Sequence, residues 1–136
     1  MAEPYHLRLE IPAVPELNSA GYRHWRVRQK ERNAWYEWVR WGVLGAWAGE
    51  YGEWSEYPAP KSGRARLRLT RCTAGRGPDY DNLVQSFKHI IDGLVKCGLL
   101  LDDTPAVIGQ PEYRWEKVKR GEAHVIVEVF EEETDG

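Results

Sequence analysis

Arg64-Ala65-Arg66-Leu67-Arg68-Leu69-Thr70 and, after a short interval, Asp79-Tyr80-Asp81-Asn82-Leu83-Val84-Gln85-Ser86-Phe87-Lys88-His89-Ile90-Ile91-Asp92-Gly93-Leu94 are neighbouring runs with different periods. In the first, polar and apolar residues alternate. That places Ala65, Leu67 and Leu69 on the core face of a β-strand and Arg64, Arg66 and Arg68 on the other. In the second, Leu83, Phe87, Ile90, Ile91 and Leu94 recur at i, i+4, i+7, i+8 and i+11, the template of an amphipathic helix, and Gly98 supplies its stop. Gln85, Lys88 and Asp92 fall together on the polar side of that helix. Gly75-Arg76-Gly77-Pro78 is the loop between the two elements.

Towards the N-terminus, Tyr5 to Ile11 alternate as a half-buried strand, stopped by Pro12 and Pro15. After the turn-rich Asn18-Ser19-Ala20-Gly21, a helix is expected from about His24 into the mid-forties, with Trp35, Trp38 and Trp41 three apart on one side. Gly42, Gly45, Gly49 and Gly52 weaken its end, and Ser55 to Gly63, with Pro58 and Pro60, reads as a loop. Towards the C-terminus two strands are expected, at roughly 106–118 and 122–131, joined by a turn near Lys119-Arg120-Gly121. Val125, Val127 and Val129 share one face of the second. The order β-α-β-α-β-β predicts an α+β fold, a small mixed sheet with two main helices packed on it. The 136 residues suit one domain spanning 1–136, with a flexible acidic tail from about residue 131.

The composition is that of a globular chain, 42% hydrophobic and 29% charged, with seven tryptophans and seven tyrosines. No apolar run approaches the ~20 residues that span a bilayer, and Met1-Ala2-Glu3-Pro4 lacks the basic and apolar regions of a secretion signal. A soluble, cytoplasmic protein is the expectation. Cys72 and Cys97 form no CxxC pair and have no His at metal spacing, so both read as reduced structural thiols.

A formal net charge of −2 conceals segregation. Arg23, Arg26, Arg28, Lys30, Arg32 and Arg40 stand against only Glu31 and Glu37, and Lys61, Arg64, Arg66, Arg68, Arg71 and Arg76 form a run without an acid. The acids gather late, at Glu122, Glu128, Glu131, Glu132, Glu133 and Asp135. Attraction to phosphate depends on such local basic surfaces rather than on whole-chain charge. Three arginines on one strand face repel unless a polyanion or an acidic partner covers them. Arg23, Arg26, Arg64, Arg66, Arg68 and Arg76 are therefore candidate phosphate contacts.

The densest chemistry runs from Asp79 to Asp103. Asp79 and Asp81 open the stretch, Lys88 and Asp92 lie within it, and Asp102-Asp103 closes it. Each part has an ordinary structural explanation: a helix N-cap for Asp79 or Asp81, an i,i+4 ion pair for Lys88 and Asp92, and turn chemistry for Asp102-Asp103. Together they exceed those needs. Carboxylate oxygens are hard ligands suited to Mg²⁺, and two acidic clusters with a lysine between them are what metal-dependent phosphodiester cleavage requires.

Asp79-Tyr80-Asp81-Asn82, Lys88, Asp92-Gly93-Leu94, Gly98 and Leu101-Asp102-Asp103 resemble the RusA family of Holliday junction resolvases, whose core pattern is D-x-D-N, K, D-x-L, G and D-D. The opening strand, its prolines, Asn18 and Tyr22-Arg23-His24 are similar to the family's N-terminal stretch, so the resemblance covers nearly the whole chain. It implies that Asp79, Asp81 and Asp103 bind Mg²⁺ and that Lys88 is the essential lysine, with Asp102 or Gln85 near the metal ligands. The chain departs from the pattern at Gln85, which stands four residues after Asp81 where the family lysine usually lies. Lys88 keeps the family's spacing to Asp92. The resemblance further implies a homodimer, of bacterial, phage or prophage origin, that resolves four-way DNA junctions by paired nicks in recombination and repair. Two other functions compete with it. One is a junction-binding protein that does not cut; the weaker one is a Mg²⁺-dependent nucleotide phosphohydrolase, for which the ExxE helical spacing is missing from this stretch.

Overall fold

The computed structural model describes residues 6–12, 25–51, 60 and 62–132. In chain order these form β1 (Leu7–Pro12), α1 (Trp25–Tyr51), β2 (Ala65–Thr73), α2 (Tyr80–Ser86), α3 (Lys88–Lys96), α4 (Pro105–Ile108), β3 (Glu112–Lys117) and β4 (His124–Glu131). The strands make one mixed sheet of order β1-β4-β2-β3, with β4 antiparallel to both its neighbours and β2 parallel to β3. The expected α+β class is the one observed.

Register explains the core. Leu7 and Leu67 both pair with Val129, and Leu9 and Leu69 both pair with Val127, so alternate apolar residues line up in rows across three strands. All of these are at most 3% exposed. Trp35, Val39 and Val43 of α1 and Leu83, Ile90 and Leu94 of α2 and α3 join them, with Phe87, in one cluster. Each such side chain contributes about 1.5–3 kcal/mol by leaving water. The strand faces expected for β2 and β4 are thus the faces found.

Four features differ from expectation. The second main helix is interrupted at Phe87. Ser86 Oγ donates to the Leu83 carbonyl at 2.7 Å, taking the acceptor that Phe87 N–H would use in a continuous helix, and Phe87 N–H turns instead to the Val84 carbonyl at 3.2 Å. Such back-bonding bends helices. Residues 105–108, placed largely in a strand by pattern, form a helical turn started by Pro105, whose fixed φ suits the first helical position. The two final strands are not hairpin partners, because β2 lies between them and the turn after β3 passes the end of β2, where Val118 N–H donates to the Thr73 carbonyl at 3.1 Å. Last, Trp35 is 1% exposed whereas Trp38 and Trp41 are 45% and 66% exposed. A three-residue step falls about 60° short of a full turn, so residues repeated every three drift around the helix.

The chain also continues helical through Gly42 and Gly45 to Tyr51. Of the expected loop at 55–63, residues 55–59 and 61 lie outside the described residues, and Gly63 N–H donates to the Pro60 carbonyl at 3.0 Å. At the other end, β4 includes Glu131, and Glu132 N–H donates to the Arg64 carbonyl at 3.1 Å, so the start of the acidic tail belongs to the sheet. Among the described residues no helix is long and apolar enough to cross a membrane.

Candidate functional site

The acidic motif is delivered by a loop that folds back beside β3. Gly77 passes so close to the Trp115 indole that a Cβ there would sit 2.8 Å from the ring, a position only glycine can fill without movement. The indole is itself held, since Trp115 Nε1 donates to Thr73 Oγ1 at 2.7 Å. Next along the chain, Tyr80 meets Tyr113 edge-on at 6.4 Å between centroids, and Phe87 packs on the same ring at 5.8 Å. Tyr113 and Trp115, two apart on β3, therefore buttress the entry to α2. Burial, and then proximity to Tyr80, push the Tyr113 hydroxyl pKa up. Sequence reading missed this pair, although their alternation on a strand was visible.

Asp79 is the N-cap of α2, its Oδ1 accepting from Asn82 N–H at 2.9 Å. Asp81 is exposed in the first turn. The capping role weighed from sequence is real for Asp79 and leaves Asp81 unexplained by it. Beyond α3, Gly98 at φ +86° ends the helix in a Schellman arrangement, with Gly98 N–H donating to the Val95 carbonyl and Leu99 N–H to the Leu94 carbonyl, both at 3.1 Å. That stop turns the chain through Leu101 into the exposed Asp102 and Asp103. Asp102 Oδ1 accepts from Asp103 N–H at 2.8 Å, which is the local turn chemistry anticipated.

Lys88 is the first residue of α3 and is exposed, as is Gln85 near the end of α2, while Asp92 is half-buried. Among the described residues no ion pair joins Lys88 to Asp92. The structural explanation for this lysine, a helix-face salt bridge, is therefore not realised.

The arginine strand does meet an acidic partner. Arg68 Nε donates to Glu112 Oε2 at 3.0 Å and Arg68 Nη1 lies 3.9 Å from Glu128 Oε1. Arg8 is the register partner of Glu128, so positive and negative residues alternate across all four strands as Arg8, Glu128, Arg68 and Glu112. Hydrogen bonds from Arg68 and then Arg114 hold the Glu112 carboxyl below the usual carboxylate range. The guanidinium of Arg66 lies 4.4 Å from the Phe130 ring centroid, and Arg64 is 3.8 Å from Glu132. Arg76 is exposed on the loop before the acidic motif.

Beside that loop, Lys117, Lys119 and Arg120 line a concavity with Ala74, Gly75, Val118 and one acid, Glu122. In sequence Lys119 and Arg120 read only as part of a turn, because the closeness of these three cations to the loop after β2 depends on strand order. Arg26 lies in the first turn of α1, and Arg23 lies outside the described residues.

Among the described residues no group of three or more His, Cys, Asp or Glu side chains is placed to hold a metal ion. In donor chemistry the exposed carboxylates of Asp79, Asp81 and Asp103 suit a hard cation. The two cysteines are free and play no visible part: burial pushes both thiols up, away from the reactive thiolate. No protein-family model matches the chain, and no curated protein matches it.

Proposed function

We propose that this chain is a Mg²⁺-dependent structure-specific endonuclease that nicks four-way DNA junctions in pairs, as the resemblance to RusA-type resolvases suggests. The observation that carries the proposal is the exposure of Asp81 and Lys88, neither engaged by a partner among the described residues, on two short helices anchored to one core. Surface residues without a structural task are where binding and catalysis concentrate.

Asp79, Asp81 and Asp103 would hold the metal, and a bound Mg²⁺ supplies Lewis acidity towards phosphate and water. Lys88 offsets charge growing on the phosphate during cleavage. Gln85 and Asp102 lie next to these groups in sequence and would orient them. Arg64, Arg66 and Arg76, with Lys117, Lys119 and Arg120, supply backbone contacts that position the junction without reading its sequence. Arg68 is better understood as part of the sheet's own charge ladder.

The test is incubation with a mobile four-way junction, a linear duplex and a nucleoside triphosphate, each with Mg²⁺ or EDTA. Paired nicks confined to the junction and dependent on Mg²⁺ are expected. Asp81→Asn should lower nicking by orders of magnitude while junction binding persists or tightens, because removing a carboxylate charge relieves repulsion of phosphate. Junction binding without nicks would identify a non-cleaving binder, and triphosphate hydrolysis alone would identify a phosphohydrolase.

A further inference from the structure

We propose that the ring of Tyr80 is a stacking platform for an unpaired base of the nucleic acid, beside the phosphate that Asp79 and Asp81 would engage through their metal. The inference deepens the nuclease proposal and rests on it for the identity of the ligand as branched DNA. Among the described residues the exposed large apolar side chains are Trp38, Trp41, Tyr80 and Leu101. The last two stand beside acids, Tyr80 between Asp79 and Asp81 and Leu101 directly before Asp102. Exposure alone is ordinary for a surface side chain. The way the Tyr80 ring is held is not.

Three aromatic rings step outward from the core to reach it. Phe87 is fully buried, Tyr113 is half-buried and packs on Phe87 at 5.8 Å between centroids, and Tyr80 meets Tyr113 at 6.4 Å with the ring planes at 89°. A perpendicular contact takes up one edge or one face of a ring. Tyr80, 61% exposed, therefore keeps a face open to water. It is also the first residue of α2, the helix that Asp79 caps, so the backbone carrying the ring is fixed too. A ring positioned before its ligand arrives loses little freedom on binding, which is how preorganised sites gain affinity.

An open aromatic face recognises a flat base, and every base has such a face to offer. Inside a continuous duplex both faces of a base are covered by its neighbours, and uncovering one costs least where pairing is already broken. The platform thus favours a branch point over a linear duplex without reading any base edge. Charge agrees with that occupant. Arg76 and Lys88, both exposed, stand on either side of Tyr80 in the chain and attract phosphate. A phosphate held at Asp79 and Asp81 also brings the base of its own nucleotide within reach of the residue between them. The tryptophans of α1 have no such neighbours: Glu37 precedes Trp38, and no acidic pair flanks either ring.

Binding of the intact chain to a four-way junction and to a linear duplex, with Ca²⁺ in place of Mg²⁺, tests this. Tyr80→Ala should weaken junction binding roughly 5- to 150-fold, the loss that alanine causes at a base-stacking aromatic, and leave duplex binding unchanged. Tyr80→Leu, which keeps apolar bulk without a flat face, should lose as much while melting like wild type. Tyr80→Phe and Tyr80→Trp should restore the preference for the junction. With the wild-type chain, a junction carrying 5-iodouracil at its exchange point should cross-link to Tyr80 on irradiation, read by mass spectrometry. Equal losses on junction and duplex, a Tyr80→Leu chain that binds like wild type, or a cross-link that maps elsewhere would each overturn the platform. A chain that prefers and nicks the junction but ignores Tyr80→Leu loses this inference and keeps the nuclease proposal. A chain that needs the Tyr80 ring for the junction but never nicks it keeps this inference and loses the cleavage.

Discussion

Asp79 has a structural task and a proposed chemical one, and two substitutions separate them. Asn caps helices about as well as Asp, whereas Ala costs about 1 kcal/mol at an N-cap. Urea unfolding should therefore find Asp79→Asn near wild type and Asp79→Ala weakened by that amount. Junction nicking should fail in both, since each removes a carboxylate charge; full activity in Asp79→Asn would reduce the residue to a cap. Glu112 gives a second residue-scale expectation. Its folded pKa is depressed by Arg68 and Arg114, so it stabilises the fold above its unfolded pKa of about 4.3, and that contribution is lost as pH falls through the lower folded value. For a half-exposed pair the contribution is under about 1 kcal/mol. Glu112→Gln should accordingly lose stability at neutral pH and match wild type in strong acid. Equal deficits at both pH values would show that the carboxylate's charge is not what matters.

At the scale of elements, the approach of Gly77 to Trp115 ties the loop before α2 to the edge of the sheet. Gly77→Ala would push against a ring pinned by Thr73, at an overpacking cost of about 1–3 kcal/mol. It should also slow nicking by displacing Asp79, and a melting curve with an activity assay would reveal whether the two losses travel together. The elements themselves were readable where one period or one residue decides them: the faces of β2 and β4, the cap at Asp79 and the stop at Gly98. The break at Phe87 was hidden because it depends on one hydroxyl taking one carbonyl, which leaves the apolar spacing untouched. Residues 105–108 were misassigned because Ala-Val-Ile is too short a run for period to separate helix from strand. Strand order lay out of reach too, since which strand lies between which depends on contacts distant in sequence. With it went the basic concavity and the neutralising partners of Arg68.

For the whole molecule, the difference between free and committed arginines should show in the salt dependence of junction binding. Arg76→Ala should lower the slope of log K against log salt by about one charge. Arg68→Ala should leave that slope unchanged and reduce stability instead, because it takes the ion pair from Glu128 and leaves Glu112 to Arg114 alone. A slope that changes equally in both would mean that the sheet face opens to the nucleic acid. The strand order has one more consequence, for the chain as it is made. β4, the last strand, sits between β1 and β2, and its Val129 is the common neighbour of Leu7 and Leu67. A ribosome emitting the chain from its N-terminus leaves those two strands unjoined, with apolar edges bare, until residues 124–131 clear the exit tunnel. Such late closure favours slow folding and early aggregation. A nascent chain stalled before residue 124 should be cut readily by protease, and one released with β4 free of the tunnel should resist.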